Sequence, residues 1–357
     1  MKIGFLKSDM DDRCPVSEKT IKKYITKGVE ILLEEGVTDS ISSDFSPLEG
    51  VELTTKEAIM KGADVVYCNT PLEEDQLKGV NEGAMLVSSY NKFKPDDVIY
   101  EGDHSVHVFS LDMIPRTTLA QSMDVLSSMA SIAGYKAVLL AADKLPRYFP
   151  MMMTAAGTIK PATVLILGAG VAGLQAIATS RKLGARVEAF DVRKAVKEEV
   201  ESLGAKFVEV EGSTDDKAAG GYAVEQTEDY KQRQKEKIHE RAANADVIIT
   251  TAQLRGRPAP ILITKEMVED MKYGSVIIDM ASSTGGNCEL TEDDKEINHK
   301  GVTIIGDSFL FNKAMIDASE LLANNIHDFI SIFIKEGNLE MDMENEIISS
   351  SKIYPKS

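Results

Sequence analysis

The sequence TVLILGAGVAGLQAIATSRKLGARVEAFDVR, residues 163–193, decides the fold. An apolar, β-branched run precedes glycines at Gly168, Gly170 and Gly173, and a helical pattern follows them. In a strand–turn–helix unit this spacing directs the backbone N–H groups at the helix N-terminus towards a pyrophosphate. Asp191 ends the next strand at about the ~20-residue offset of an acidic residue that accepts hydrogen bonds from ribose hydroxyls. The stretch therefore predicts a dinucleotide-binding βαβ unit that prefers NAD(H) to NADP(H).

Two alternatives accompany this interpretation. Glycines at this spacing also occur wherever a helix packs tightly on a strand, but the strand before them, the helix after them and Asp191 favour the nucleotide site. Arg193 could soften the discrimination against a 2′-phosphate. We favour instead a solvated Arg193 side chain at the start of a helix.

Composition excludes several classes of protein. The chain has 357 residues, 43% hydrophobic and 27% charged, which predicts two folded domains rather than disorder. The balance of 40 Lys+Arg against 57 Asp+Glu gives a net charge of −17, which disfavours binding to nucleic acid or anionic lipid. Three cysteines without paired spacing and an opening MKIGFLKSDM without an apolar signal predict a reduced, cytoplasmic protein. The uncharged window 161–180 divides into strand, turn and helix, so no membrane insertion is expected.

The pattern of the whole chain predicts an α/β protein with two Rossmann-like domains. Apolar runs alternate with helical stretches over the first third, and six further strand-like runs follow residue 163. Residues 119–143 predict a linking helix, residues 312–337 a helix that returns to the first domain, and the polar tail a loosely held end. We expect parallel sheets, linking long helices and a cleft between the domains. The predicted boundaries are 1–127 with 308–357 for the first domain and 128–307 for the NAD(H)-binding domain.

Three longer segments, residues 113–138, 147–193 and 257–291, carry a specific resemblance. They include MIPRTTLAQSMDVLSSMASIAGYKAV, RYFPMMMTAAGTIKPATVLILGAG and RPAPILITKEMVEDMKYGSVIIDMASSTGGNCELT. Together they resemble the NAD(H)-binding alpha subunit, domain I, of proton-translocating, Re/Si-specific nicotinamide nucleotide transhydrogenases. The resemblance implies direct hydride transfer to or from NADP(H) on a separate NADP(H)-binding subunit, a further membrane-domain subunit, and a homodimer. It also implies a cytoplasmic location, peripheral to the membrane through these partners.

The resemblance assigns the nicotinamide contacts to Arg116, Gln121, Asp124 and Ser127. Arg116 would donate to the carboxamide oxygen, Asp124 would accept from its NH₂, Ser127 could do either, and Gln121 would face the second nucleotide. A surface ion pair for Arg116 and helix capping for Gln121 and Asp124 are the structural alternatives. The resemblance also places Tyr222, within the polar insertion 211–232, in a loop that closes over the nucleotide. The predicted cofactor-binding residues are Gly168, Gly170, Val171, Ala172, Gly173, Asp191, Val192, Arg193, Tyr222, Thr251, Ala252 and Gln253.

Two other functions remain open. Alanine dehydrogenase shares the architecture, but its substrate-binding lysine and histidine are missing from residues 64–77 and 87–96. A non-catalytic NAD-binding regulatory subunit is the second. The chain departs from the transhydrogenase pattern around Arg13, at Leu119 and over residues 308–315. Five histidines form no metal-ligand pattern, so no metal is expected.

Overall fold

The computed structural model describes residues 1–91, 99–211, 227–254 and 256–355. They form two compact units, one of residues 1–129 with 314–357 and one of residues 130–313. We call these the first unit and the second unit.

In chain order the strands are β1 (Lys2–Leu6), β2 (Glu30–Glu34), β3 (Val51–Thr54), β4 (Val65–Cys68), β5 (Met85–Ser88), β6 (His107–Ser110), β7 (Met152–Thr154), β8 (Gly157–Ile159), β9 (Thr163–Leu167), β10 (Arg186–Phe190), β11 (Lys206–Phe207), β12 (Val247–Thr250), β13 (Val276–Asp279), β14 (Lys295–His299), β15 (Val302–Gly306), β16 (Ile334–Lys335), β17 (Asn338–Leu339) and β18 (Lys352–Tyr354). The α-helices are α1 (Glu18–Thr26), α2 (Lys56–Gly62), α3 (Val125–Lys144), α4 (Val171–Lys182), α5 (Lys197–Ser202), α6 (Glu228–Ala242), α7 (Lys265–Glu269), α8 (Met315–Ser331) and α9 (Glu346–Ser351).

Each unit is built on a seven-stranded sheet, and the six parallel strands follow the same order in both sheets. The order is β18-β6-β5-β4-β1-β2-β3 in the first unit and β11-β10-β9-β12-β13-β15-β14 in the second. Six strands in each sheet are parallel, and the seventh pairs antiparallel on the outer side of the sixth. Both are doubly wound sheets whose order reverses between two central strands, β1 and β4 or β9 and β12. The predicted α/β fold with parallel Rossmann-like sheets is confirmed.

The apolar strand runs are explained by helices on both faces of the second sheet. Along β9, Val164 and Ile166 point into one buried cluster, whereas Leu165 and Leu167 point into the other. Because successive side chains of a strand point to opposite faces, a strand covered on both sides has to be apolar at every position.

The structure corrects the expectations for the chain end and for the outer strands. The tail is not loosely held, because β18 pairs with β6 and Ile348 of α9 is fully buried. The predicted helix over 312–337 begins at Met315 and ends at Ser331. Strands β3 and β14 were not predicted, since they lie at sheet edges and expose most of their side chains.

Helix α3 is the only helix among the described residues that is long and apolar enough to span a membrane by length and composition, with a mean hydropathy of 1.5. Core helices of globular proteins pass the same test, and 44% of its most apolar window is buried. Ala133, Ala137 and Ala141 pack in the core of the second unit, with Val164 and Ile166.

Candidate functional site

The glycine turn of the second unit lies between β9 and α4, at the point where the sheet order reverses. Gly168 has φ +103, a left-handed backbone conformation that favours glycine. A Cβ at Gly173 would lie 1.9 Å from the carbonyl oxygen of Gly168, so only glycine lets the helix approach the turn. At Gly170, by contrast, a Cβ would meet no described atom within 4 Å. The turn is tightly packed on the protein side and open on the other side.

The N-terminus of α4 carries no cap from the described side chains that would compete with a phosphate. Gly170 is the N-cap residue, it offers no side-chain hydrogen bond, and the first turn of the helix has no acidic residue. The twelve-residue helix begins with Val171, Ala172 and Gly173, whose N–H groups belong to the unsatisfied first turn. Its positive dipole end and these donors suit an anion.

Asp191 lies buried at the end of β10, and four hydrogen bonds reach its carboxylate. The backbone N–H groups of Ala169 and Arg193 donate to Oδ2 and Oδ1, each over 2.8 Å. Arg193 also donates from Nε to Oδ1 and from Nη2 to Oδ2, over 2.9 Å each. The hydrogen bonds to Asp191 raise the pKa of the Arg193 guanidinium. The interpretation of Arg193 as a solvated side chain is therefore wrong, since it forms a two-point ion pair.

The other side of the turn is formed by the residues that follow β12. Thr251 Oγ1 donates to the carbonyl of Gly168 over 3.1 Å and joins the two central strands across the reversal point. The backbone of Ala252 is held at both ends by the buried side chain of Asn287, with N–H···Oδ1 of 3.0 Å and Nδ2–H···O of 2.8 Å. Gln253 donates from Nε2 to the carbonyl of Met280 over 3.1 Å.

Asp279, at the end of β13, orders this neighbourhood, and sequence reasoning missed both it and Asn287. The fully buried carboxylate accepts from the backbone N–H groups of Ala281, Asn287 and Cys288, over 3.0, 2.7 and 2.9 Å. It also accepts from two threonine hydroxyls, those of Thr250 and Thr291. An acidic residue that ends an apolar strand is the signal that could have singled out Asp279.

The predicted nicotinamide set lies on one segment of the first unit, residues 116–127, which runs through a 3₁₀ turn (Thr118–Met123) into α3. Asp124 caps α3: its Oδ1 accepts from the backbone N–H of Ser127 over 2.9 Å and its Oδ2 from Ser127 Oγ over 2.6 Å. Arg116 and Gln121 are exposed. The buried Asn325 of α8 donates to the carbonyl of Ser122 over 2.7 Å and fixes the 3₁₀ turn.

These contacts restrict what each group on the segment can do. The Ser127 hydroxyl donates its hydrogen bond to Asp124, so Ser127 Oγ can only accept a further one. Asp124 accepts two hydrogen bonds and, as a carboxylate with about four lone-pair sites, keeps acceptor capacity. Both side chains therefore suit an NH₂ group, and the expected capping by Asp124 is present as well.

The structure places eleven of the twelve predicted cofactor-binding residues at the carboxyl edge of the second sheet: Gly168, Gly170, Val171, Ala172, Gly173, Asp191, Val192, Arg193, Thr251, Ala252 and Gln253. Tyr222 lies outside the described residues, as does most of the insertion 211–232. Within the described ranges, no group of three or more His, Cys, Asp or Glu side chains is arranged to hold a metal ion.

Two family models match the chain, one on each side of residues 134–136. Residues 7–133 match the N-terminal domain and residues 137–355 the C-terminal domain of the alanine dehydrogenase/PNT family. An alpha-subunit chain of the NAD(P) transhydrogenase of Rhodospirillum rubrum is 41% identical, over 96% of this chain and 92% of that protein. The chain belongs to the transhydrogenase alpha-subunit family.

Two further comparisons agree with the assignment. NAD(P) transhydrogenase subunit alpha of Haemophilus influenzae is 37% identical, over 95% of this chain and 67% of that protein. The crystal structure of a transhydrogenase from Sinorhizobium meliloti superposes with a TM-score of 0.83 at 36% identity, and the match covers 98% of this chain and 97% of that one.

Proposed function

We propose that this chain is the NAD(H)-binding catalytic subunit of a proton-translocating transhydrogenase and that it exchanges hydride directly with NADP(H) bound by a partner subunit. The observation that carries the proposal is the hydrogen-bonding state of Asp124 and Ser127. Both present acceptors on a segment that also carries the exposed donor Arg116. One donor and two acceptors match a carboxamide, which has one acceptor oxygen and one NH₂ group.

The residues of the second unit suit the rest of NAD(H). The uncapped first turn of α4 and the open side of Gly170 suit the pyrophosphate. Asp191 suits the adenosine ribose, and a small crevice beside it is lined by Val192, Phe207, Val210 and Tyr230. A carboxylate at this position disfavours a 2′-phosphate, which supports NAD(H) over NADP(H).

When bound, the nicotinamide ring supplies the carbon that gives or takes the hydride. Arg116 donates to the carboxamide oxygen, while Asp124 and Ser127 accept from its NH₂, and together they fix the ring orientation. Gln121 lies exposed on the same segment and contacts the second nucleotide. Transfer between two nicotinamides moves no proton, so close approach and exclusion of water are sufficient and no general base is needed.

The proposal includes three partners. These are an NADP(H)-binding subunit, a membrane-domain subunit and a second copy of the chain in a homodimer. With a net charge of −17, the chain is not attracted to anionic lipid, so protein contacts hold it at the cytoplasmic side of the membrane.

A mixing experiment tests the proposal. Deuteride transfer to NADP⁺ from NADH deuterated at the reduced nicotinamide carbon is expected only when the purified chain and an NADP(H)-binding transhydrogenase subunit are both present. Gln121→Ala should lower the transfer rate at least about tenfold and leave the NADH dissociation constant nearly unchanged, because the lost contact is made to the second nucleotide. NADH binding without transfer in the mixture would support a regulatory subunit. Oxidation of L-alanine by the chain alone would support the dehydrogenase alternative.

A further inference from the structure

The acceptor capacity of Asp191 limits what the nucleotide site can bind. A carboxylate offers about four lone-pair sites, and all four on Asp191 are filled by Ala169 N–H, Arg193 N–H, Arg193 Nε and Arg193 Nη2. Two of these donors are backbone groups, one in the glycine turn and one in the loop after β10, and they cannot leave without unfolding the site. The other two belong to one flexible side chain.

The guanidinium of Arg193 and a ribose diol would compete for the same two acceptor positions on the Asp191 carboxylate. Each carboxylate oxygen of Asp191 keeps one backbone donor and gives its second position to Arg193. If the guanidinium leaves, one acceptor site opens on each oxygen, which is what the 2′- and 3′-hydroxyls of a ribose require. The side chain of Asp191 is 7% exposed and that of Arg193 is 27% exposed, so the guanidinium is the partner that can turn into solvent.

We propose that Arg193 is a specificity-determining latch on the adenosine-ribose site, which must release Asp191 before a nucleotide with a free 2′,3′-diol can bind. We call the Asp191–Arg193 pair the ribose latch. This proposal rests on the proposed NAD(H) site and adds that the Arg193 guanidinium competes with the ribose for Asp191. Because the latch has to open before the nucleotide binds, the closed latch lowers the affinity of the site for NAD(H).

The latch also stabilises the buried carboxylate of Asp191 when no nucleotide is bound. A buried carboxylate without a counter-charge is costly, and Arg193 supplies the charge and two donors. Replacing Arg193 therefore has opposite effects on the two states: the free protein becomes less stable, and nucleotide binding becomes stronger. A residue that only packs on the surface would produce neither effect, and a residue that contacts the nucleotide would weaken binding.

The test compares Arg193→Met with wild type, using ADP-ribose and reduced nicotinamide mononucleotide as ligands in calorimetry. Met keeps an unbranched, flexible side chain and removes the charge and the donors. We expect ADP-ribose to bind about fivefold more tightly to the variant, the factor that corresponds to a partly exposed ion pair of about 1 kcal/mol. Reduced nicotinamide mononucleotide lacks the adenosine ribose, and its affinity should not change. Arg193→Lys, which keeps a single-point ion pair, should fall between the two.

The matched control is Arg186→Met. Arg186 begins β10, the strand that Asp191 follows, and its Nη2 donates to Thr163 Oγ1 over 3.0 Å at the opposite edge of the sheet. The Arg186→Met variant removes the same charge from the same unit as Arg193→Met, so a general electrostatic effect would appear in both variants. We expect unchanged ADP-ribose affinity for Arg186→Met.

Each outcome decides something. Equal or weaker ADP-ribose binding by Arg193→Met overturns the latch while leaving the NAD(H) site in place. No ADP-ribose binding by either protein overturns the proposed cofactor site itself. If Arg193→Met fails to fold, a crystal structure of the wild-type chain with ADP-ribose decides: a guanidinium still bonded to both oxygens of Asp191 contradicts the latch.

Discussion

The six parallel strands follow the same order in both units, yet the residues at the two carboxyl edges differ. In the second unit the reversal point between β9 and β12 carries a glycine turn with an open side and an uncapped helix. In the first unit the loop after β1 fills the corresponding place. Asn69, after β4, donates from Nδ2 to the carbonyls of Asp11 and Arg13, over 3.0 and 2.7 Å. The same strand order therefore carries an open glycine turn in one unit and, in the other, an edge whose reversal point is occupied by a hydrogen-bonded loop, which we call the closed edge.

Two cations at the first unit's edge are paired with carboxylates of the same edge. A cavity of about 350 Å³ lies there, beside Lys7, Asp11, Arg13 and Asp39. Arg13 is paired with Asp11, and Lys7 with Asp39 over 3.0 Å. A cavity whose cations are held by its own carboxylates is poorly suited to a carboxylate substrate, which argues against an oxo-acid site. Topology thus indicates where a ligand can bind, and the turn residues decide whether it does.

The largest expected effect is at Asp279, the buried carboxylate of the second unit that accepts hydrogen bonds from three backbone N–H groups. Asp279→Ala leaves the backbone N–H groups of Ala281, Asn287 and Cys288 without their acceptor, so we expect a loss of at least about 3 kcal/mol in the free energy of unfolding. Urea unfolding measures it. The control is Asp270→Ala, which removes an exposed carboxylate and should change stability by less than about 0.5 kcal/mol. Equal losses of stability in both variants would contradict the stabilising role of Asp279.

The glycine turn gives the next largest effect. Gly173→Ala places a Cβ against the backbone carbonyl of Gly168, and we expect about 3 kcal/mol of destabilisation together with lost NADH binding. Gly170→Ala should fold normally, because a Cβ there meets no described protein atom, but it should bind NADH more weakly because the Cβ occupies the phosphate side. Thermal unfolding and NADH fluorescence titration separate the two. Unchanged NADH affinity in Gly170→Ala would mean that the open side is not the phosphate site.

A smaller effect is expected at the closed edge of the first unit. Asn69→Ala removes two hydrogen bonds that hold the loop, which should cost about 1 to 2 kcal/mol in the free energy of unfolding. Because this edge is structural, NADH affinity should stay within about twofold of wild type, a difference of less than about 0.5 kcal/mol in binding energy. Loss of NADH binding in a folded Asn69→Ala variant would show that the closed edge takes part in nucleotide binding.

A last effect is expected in both units and only above about pH 9. Burial raises the pKa of the Cys14 thiol in the first unit and of the Cys288 thiol in the second from 9.0 to about 11. Unfolded thiols ionise from about pH 9, whereas the folded ones stay protonated, so each should reduce stability between pH 9 and 11 by up to about 1.4 kcal/mol per pH unit. The Cys14→Ala and Cys288→Ala variants should each flatten the decline measured by urea unfolding. An unchanged slope in both would contradict the assignment.

The fold was predictable where burial imposes a pattern on the sequence. The strands β9, β12 and β13 are apolar at nearly every position because both sheet faces are covered, and the sequence pattern predicts all three. The edge strands β3 and β14 expose most of their side chains and carry no such pattern. The tail looks polar, yet Ile347, Ile348 and Ile353 are buried, and three apolar residues are too few to signal a helix and a strand.

The candidate site was predictable from local spacing but not from tertiary contacts. The glycines and Asp191 follow from the spacing within one βαβ unit. The pair between Asp191 and Arg193 depends on a side-chain rotamer that spacing does not specify. Asn287 reaches Ala252 from 35 residues away, and only the folded sheet brings the two together. The roles of Arg116, Gln121, Asp124 and Ser127 came from resemblance and remain proposals.

A crystal structure of the chain with NADH bound tests the contrast between the two edges most directly. We predict the pyrophosphate at the N–H groups of Val171, Ala172 and Gly173, and the carboxamide within hydrogen-bond distance of Arg116, Asp124 and Ser127. A dinucleotide seated in the first unit's cavity beside Lys7 and Arg13, or a nicotinamide ring away from residues 116–127, would contradict the account.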